Sequence, residues 1–144
     1  MNKITKDFIK YLTEIKKFTR KNNVKLPSVG EKDTIDLITG DLKEKLFLDI
    51  NRQGRIELKV TTQNRYRTLP IIRIDIDSPP HMNLDGTYSS RNHIHFYNAE
   101  TEQNDTYNLE ELEWFDTGDL SFLSVFDQFC SKFNIDINKI QGVL

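Results

Sequence analysis

All three histidines of the chain, His81, His93 and His95, fall within one segment of fifteen residues. Imidazole is the side chain whose unperturbed pKa lies closest to neutrality, so it can move protons or, as the neutral ring, bind a metal. The same segment supplies an acid, a cation and a phenol, namely Asp85, Arg91 and Tyr97. This segment is therefore the best candidate for a functional site.

The run 92–98 alternates polar and apolar residues, which predicts a β-strand. Residues two apart on a strand point to the same face, about 6.6 Å from one another. His93, His95 and Tyr97 are therefore expected on one face. Since the apolar residues of the run occupy the opposite face, we expect both imidazoles to project from an open polar surface.

A preceding strand is predicted at 69–77, where isoleucines alternate with charged residues. If it pairs with the histidine strand, Arg73 and Asp75 lie beside the imidazoles. The connecting loop, 78–91, is long for a hairpin, and long ordered loops often carry function. It is expected to bring His81 over the same face.

The first chemistry that this constellation favours is metal-independent cleavage of RNA. Such a reaction needs a base, an acid and a cation, and positioned proton transfer contributes typically about 10²–10⁴-fold to rate. The candidate catalytic residues are His81, His93, His95, Arg73 and Tyr97. Small ribonuclease toxins have a comparable layout, a comparison made by analogy of fold alone.

A zinc site formed by His81, His93 and His95 is a second reading. Against it, the spacing matches no recognised zinc signature, and the only thiol, Cys130, falls in an apolar stripe. In a third reading, the histidines are polar residues of a solvated sheet face, held by surface ion pairs worth about 0–1 kcal/mol each. The residues alone leave the three readings open, with no cofactor expected in the first and third.

Helical spacing of apolar residues predicts one helix at each end of the chain. The first is predicted from about Thr5 to Lys21, closed by the asparagines that follow, and the second from near Asp119 to Asn134. Their stripes are Phe8, Leu12, Ile15 and Phe18 in the first and Phe122, Phe126, Phe129 and Phe133 in the second. Both stripes are expected in the core.

Between the helices the apolar period changes to two. The runs 45–50 and 55–61 flank Gly54, which can supply the positive φ of a hairpin turn. Together with the two later strands and an edge strand at each side, they predict one α+β domain spanning 1–144. It is expected to be an antiparallel sheet of about 4–6 strands with the N-terminal and C-terminal helices on one face.

The net charge of −2 hides a division of charge along the chain. Residues 1–74 hold 17 Lys/Arg and 9 Asp/Glu, whereas residues 75–144 hold 3 and 13. The basic half is a candidate surface for nucleic acid, and the acidic half can repel or imitate phosphates.

The acidic half suggests a function without catalysis, in which the chain binds a host protein or nucleoprotein complex. Aromatic residues lie among the carboxylates, and aromatics are enriched at interfaces. The candidate binding residues are Asp85, Arg91, Glu110, Glu111, Glu113 and Trp114. An anti-CRISPR or other anti-defence inhibitor has this kind of surface, and the binding role is preferred over the nuclease.

The stretch from Arg73 to Gly86, followed by 93–97, resembles the signature of an uncharacterised family of small bacterial and phage proteins. The family pattern reads approximately His-x-Asn-Pro-Asp-Gly, then His-hydrophobic-His-hydrophobic-Tyr, and the segment 129–135 is also similar. Leu84 stands where the family has proline. The resemblance covers about the last 75 residues and implies a phage or mobile-element setting, without an activity.

No run approaches the roughly 20 apolar residues of a membrane span, and the polar start is unlike a signal peptide. Cys130 has no partner for an internal disulfide, which favours a reducing compartment. We therefore expect a cytoplasmic protein that does not bind membranes.

Overall fold

The computed structural model describes residues 4–62, 67–78 and 82–142. Two α-helices, one short 3₁₀ helix and nine strands follow one another along this part of the chain. They are α1 (Lys6–Glu14), β1 (Lys17–Thr19), β2 (Val24–Lys25), β3 (Lys32–Thr39), β4 (Lys45–Asn51), β5 (Arg55–Thr62), β6 (Arg67–Asp75), β7 (His93–Asn98), β8 (Gln103–Asn108), the 3₁₀ helix (Leu109–Glu111), α2 (Phe122–Lys132) and β9 (Ile140–Gln141).

The main sheet has seven strands in the order β1-β3-β4-β5-β6-β7-β8, and every neighbouring pair is antiparallel. The α+β prediction is therefore confirmed, but the count of 4–6 strands was too low. The extra strand is β1, which lies in the sequence predicted as helix. A second, two-stranded parallel sheet joins β2 to β9.

The predicted hairpin at Gly54 is confirmed. Gly54 has φ +124°, and a Cβ at this position would lie 2.5 Å from the Ile76 carbonyl oxygen. Leu48 lies opposite Leu58 in the register of β4 and β5, and Asp49 lies opposite Glu57. Because a shift of one residue would exchange the faces, this register fixes one apolar and one polar face across the sheet.

The apolar face forms the core together with residues of both helices. Its strand residues include Leu46, Leu48, Ile56, Leu58, Ile72, Ile74 and Ile94, all at most 1% exposed. Leu12 of α1 and the α2 residues Phe126, Phe129 and Cys130 are buried in the same cluster. The two predicted stripes thus lie in the core where they are helical.

The first helix is shorter than predicted. It begins after Thr5, whose hydroxyl accepts from the Phe8 amide, and it ends at Glu14 rather than near Lys21. Residues 17–19 instead extend the sheet by pairing with β3. Pairing across the sheet therefore overrides the local helical pattern, because it satisfies the backbone and buries Lys17 and Thr19.

The second helix begins after Ser121 rather than Asp119. The Ser121 hydroxyl accepts from the Ser124 amide, while the Asp119 carboxylate accepts from the Ser121 amide one turn earlier. At the other end the prediction is confirmed, since the helix closes at Lys132 and Asn134 takes a positive φ of 59°.

Candidate functional site

The polar face of the sheet is organised into two rows of residues that lie directly opposite one another on adjacent strands. One row runs Asn51, Arg55, Asp75, His93, Asn108, and the next runs Asp49, Glu57, Arg73, His95, Thr106. The predicted pairing of the two later strands is confirmed, and so is the placement of Arg73 and Asp75 beside the histidines. The candidate site is the part of both rows that surrounds Asp75.

The Asp75 carboxylate is the centre of the cluster. Its Oδ1 accepts from Nε of Arg55 at 2.9 Å, and its Oδ2 accepts from Nε of Arg73 at 3.0 Å. Burial opposes ionisation of Asp75, but the charges of Arg73 and Arg55 and the hydrogen bond from Arg55 outweigh it and hold the pKa of this carboxyl below its usual value. Asp75 is therefore a buried anion, compensated by guanidinium groups.

Arg73 links this carboxylate to His95. Its Nη2 lies 2.9 Å from Nε2 of His95, whose Nδ1 is 2.9 Å from the Thr106 hydroxyl. Since guanidinium can only donate, Nε2 of His95 accepts, and the ring proton lies on Nδ1 and is donated to Thr106. Burial lowers the pKa of His95, and the Arg73 charge lowers it further while Asp75 acts in the opposite direction. His95 is thus a neutral ring.

His93 lies on the other side of the same carboxylate. Its Nε2 is 3.2 Å from Oδ2 of Asp75, and its Nδ1 is 3.0 Å from the Ser90 carbonyl and 3.4 Å from the Ser89 hydroxyl. The imidazoles of His93 and His95 meet edge to face, with centroids 4.7 Å apart. Ser89, His93 and Asp75 therefore form a series of neighbouring polar groups. However, Ser89 is buried, so its hydroxyl is not accessible to a substrate.

The predicted exposure of the imidazoles is wrong. His93 and His95 share the polar face as expected, yet each is only 2% exposed. Segment 89–90 folds against His93, and among the described residues no buried side-chain nitrogen or oxygen lacks a hydrogen-bond partner. The cluster meets solvent mainly through Arg55, whose side chain is half exposed, and to a lesser extent through Arg73.

Asp75, His93 and His95 are also the described residues that come closest to a metal-binding set, with one ligand atom of each within 4.8 Å of the others. Separations of 3.2 and 3.3 Å from Oδ2 to the two Nε2 atoms suit a small cation. However, the Arg73 guanidinium already donates to Oδ2 and to one Nε2. A metal would have to displace it. Of the predicted zinc set, His81 lies outside the described residues.

Three other residues of the predicted sets do not join the cluster: Tyr97 of the catalytic set, and Arg91 and Asp85 of the binding set. Tyr97 is partly buried, packs against the core and has its pKa raised by burial and by Glu102. Arg91 donates to the Asp77 carboxylate at 2.9 Å on the surface. Asp85 closes the turn of the connecting loop by accepting from the Thr87 amide and hydroxyl.

The predicted acidic binding residues lie at the margin of the sheet beyond β8. Glu110, Glu111 and Glu113 are exposed; the first accepts from the Ser90 hydroxyl and the second from the Asn108 amide. Trp114 is partly buried and packs edge to face against Phe133, with centroids 5.7 Å apart. Its ring therefore belongs largely to the edge of the core.

Sequence reasoning missed Arg55, Thr106 and the serines of the loop. The alternation of β5 puts Arg55 on the polar face, but its place opposite Asp75 depends on a β5–β6 register that shifts between Leu58 and Lys59. Thr106 is different, because its position depends on the register of β8, which no alternation of apolar residues marks.

A family model described as a family of unknown function (DUF6978) matches residues 4–135. The match is longer than the C-terminal half from which the resemblance was drawn. No curated protein and no solved structure matches the chain significantly. No helix within the described residues is long and apolar enough to cross a membrane.

Proposed function

The chain belongs to this family of unknown function, DUF6978, and we propose that it acts by binding a partner protein through the acidic margin of its sheet. The observation that carries the proposal is the composition of this margin. Exposed carboxylates follow one another along β8, the 3₁₀ helix and the turn after it: Glu102, Asp105, Glu110, Glu111 and Glu113. Apolar side chains of the 82–88 turn line a groove that includes Asp105.

The apolar side chains of this margin are unusually exposed for a surface that no partner covers. Leu84 is 99% exposed and Met82 60% exposed, and both line a groove beside β8. Apolar side chains surrounded by charged residues are typical of a surface that another protein covers. The turn that carries them is well defined, because the Gly86 amide donates to Asn83 and the Asn83 amide donates to Thr87. The surface is thus preformed.

A basic protein or a basic part of a nucleoprotein complex is the partner class that this surface suits. Carboxylates steer a cationic partner towards the margin and discriminate against nucleic acid alone. A host complex in a phage or mobile-element setting, and with it an anti-defence role, also forms part of the proposal. That setting comes from the resemblance of the two histidine blocks.

The ribonuclease is the weaker alternative. It needs an imidazole within hydrogen-bond reach of a phosphodiester, whereas the two described rings are buried and bonded to protein groups. His95 in particular is held between Arg73 and Thr106. The basic groups that do reach the surface beside the cluster are matched by acids: Lys59 lies 2.6 Å from Asp49.

The test is a measurement of affinity for a partner captured on the tagged chain and then purified. Charge reversal of Glu110, Glu111 and Glu113 to lysine should weaken binding by about tenfold or more at low salt, and the difference should shrink at high salt. The matched control reverses Glu14, Glu31 and Glu44, which lie on α1, before β3 and before β4. Equal affinity of both triple variants would contradict the proposal.

A second assay separates binding from catalysis. The purified chain is incubated with RNA without added metal, and we expect no cleavage. His95→Gln provides the control, because glutamine keeps an oxygen that can accept from Arg73. Cleavage by the wild type that disappears in His95→Gln while folding is retained would favour the ribonuclease instead.

A further inference from the structure

The two edges of the seven-stranded sheet differ in whether another segment of the chain covers them. Outside β1, the Lys17 amide donates to the Asn134 carbonyl at 2.8 Å, and the Asp136 amide donates back to the Lys17 carbonyl at 2.8 Å. The chain therefore covers this edge with its own C-terminal segment. β8 is the last strand at the opposite edge, and no strand of the described residues lies beyond it.

The hydrogen-bond pattern shows which residues of β8 face outwards. The Leu109 amide donates to the Asn92 carbonyl, which makes these two a bonded pair in the β7–β8 register. Bonded and non-bonded pairs alternate in an antiparallel ladder, so Asn104 and Thr106 belong to non-bonded pairs. Their backbone N–H and C=O groups consequently point away from β7. Among the described residues, none supplies a partner for them.

A groove of about 600 Å³ runs beside this edge. One wall is the strand itself, from Gln103 to Tyr107, and the other is the 82–85 segment of the turn. Leu84 and Met82 of this wall are exposed, so an added strand would find backbone partners on one side and apolar contacts on the other. The groove has the shape and polarity that an extended segment requires.

The negative charge of the groove favours a cationic strand over a second copy of β8 as its occupant. Asp85 and Asp105 line the groove, and Glu102 lies at the start of the strand. A second copy of β8 would bring a second Asp105 and Glu102 to this edge, and like charges on neighbouring strands are destabilising. An incoming strand with lysine or arginine at alternate positions would instead pair with them.

We infer that β8 is a docking edge for an extended, cationic segment of a partner protein, which adds to the sheet as an eighth strand through Asn104 and Thr106. This inference rests on the proposed function, because it specifies how the acidic margin holds its partner. Main-chain hydrogen bonds supply affinity in this mode, while alternate side chains supply specificity. The basic side chains of the partner segment pair with the carboxylates, and its apolar side chains contact Leu84 and Met82.

The probe is a six-residue peptide that alternates lysine and valine, titrated into the isotopically labelled chain. We expect amide shifts at Asn104 and Thr106, and hydrogen exchange of these amides slowed by about tenfold on binding, because each becomes bonded. Two peptide controls isolate the contributions: alternate N-methylation removes the donors of one edge, and glutamate in place of lysine inverts the charge. Both should bind about tenfold more weakly or worse.

Matched variants of the chain, in place of variants of the peptide, test the same edge. Asn104→Pro removes one outward N–H, and proline is tolerated on the outer side of an edge strand. Asn104→Ala keeps that N–H. We expect Asn104→Pro to weaken peptide binding by about tenfold and Asn104→Ala by less than about twofold, with similar melting temperatures.

Several outcomes would overturn the inference. They are equal binding of the N-methylated peptide, amide shifts at another surface, or no binding at millimolar peptide. A wild-type dimer that dissociates in Asn104→Pro would assign the edge to a second copy instead. These failures are separable from that of the proposed function: if charge reversal weakens the captured partner but Asn104→Pro leaves its affinity unchanged, the margin binds the partner without strand addition.

Discussion

Arg73 and His95 lie directly opposite each other on β6 and β7, and the guanidinium Nη2 donates to the imidazole Nε2 at 2.9 Å. The same guanidinium donates from Nε to Asp75, so one planar cation joins a carboxylate and a neutral ring. This bridge accounts for the buried polar cluster without a ligand. It also determines how the cluster should respond to protons and to substitution.

We predict that the free energy of unfolding falls as the pH decreases below about 6.5, the ordinary pKa of histidine. The pKa of His95 is lowered in the folded chain, so the unfolded chain takes up this proton first. Stability therefore rises with pH in this window and falls with acid. Urea denaturation between pH 5 and 8 measures the slope.

His95→Gln is the control for this titration, because it removes the proton-binding group and keeps an acceptor for Arg73. The slope near pH 6 should become smaller in the variant. A slope identical to that of the wild type would show that His95 does not control it. A further loss of stability is expected below about pH 4, where Asp75 takes up a proton in the unfolded chain but stays ionised in the folded chain, since the folded pKa of that carboxyl is held low.

Asp75→Asn is predicted to lower the free energy of unfolding by about 3–5 kcal/mol. The buried carboxylate accepts from two guanidinium groups, and a neutral amide cannot compensate both. Asp77→Asn is the matched control, because its Arg91 partner lies on the surface, and its effect should stay within about 0.5 kcal/mol. Equal effects of the two substitutions in urea denaturation would refute a buried ion cluster.

Thr106→Val is predicted to cost about 1–3 kcal/mol, because it removes the buried hydroxyl that accepts from Nδ1 of His95. Nitrogen NMR of the wild type should show His95 protonated at Nδ1 and not at Nε2. Thr117→Val, at a partly buried position in the turn before α2, is the control and should have a smaller effect. Detection of the Nε2 proton at neutral pH would contradict the assigned direction of the Arg73 bond.

Zinc provides a test of how the bridge competes with a metal. We expect Arg73→Ala to bind Zn²⁺ more tightly than the wild type, since the substitution removes the cation that lies against Asp75 and His95. Calorimetric titration with zinc of protein purified without immobilised nickel gives both affinities. Tighter binding by the wild type would mean that Arg73 does not occupy the place of a metal.

Lys17→Met is predicted to lower the free energy of unfolding by about 1–3 kcal/mol at pH 7. The buried Lys17 ammonium donates to the carbonyls of Thr13, Ile15 and Phe133, which lose their donor in the variant. Lys16→Met, which changes a half-exposed neighbour, should have little effect. A variant as stable as the wild type would refute this role of the ammonium.

Lys17 also makes the free energy of unfolding depend on pH, which is not expected of its neighbour Lys16. Burial lowers the pKa of Lys17 from 10.5 to about 8, so between these values the unfolded chain binds more protons than the folded chain. Stability should therefore rise with pH across this window in the wild type and in Lys16→Met, but not in Lys17→Met. Chemical denaturation at pH 7.5, 9 and 10 separates Lys17→Met from the other two proteins.

Much of the sheet was predictable because alternation and turn residues act locally. The hairpin at Gly54 and the pairing of Arg73 and Asp75 with the histidines follow from the period of two. The extent of the first helix was not predictable in this way. Residues 17–19 have a helical spacing, and only their pairing with β3, distant in the sequence, decides their conformation.

For the candidate site too, features that depend on residues distant in the sequence could not be predicted. Its two histidines could be found from their spacing, but their burial depends on the path of segment 89–90 and on the register of β8. Neither feature leaves a periodic signal in the sequence. The acidic margin, by contrast, was visible in the charges of the second half, because charged side chains without a buried partner remain at the surface.

The covering of β1 by residues 134–136 has a consequence for the order of folding. Each strand from β4 to β8 pairs with the one before it in the chain, and the longest loop that this meander closes is the one between β6 and β7. The Lys17 ammonium, in contrast, reaches Phe133 across 116 positions, and a loop of that length is entropically costly to close. The two ends of the molecule should consequently join last during refolding, and their amides should exchange before those of the central strands.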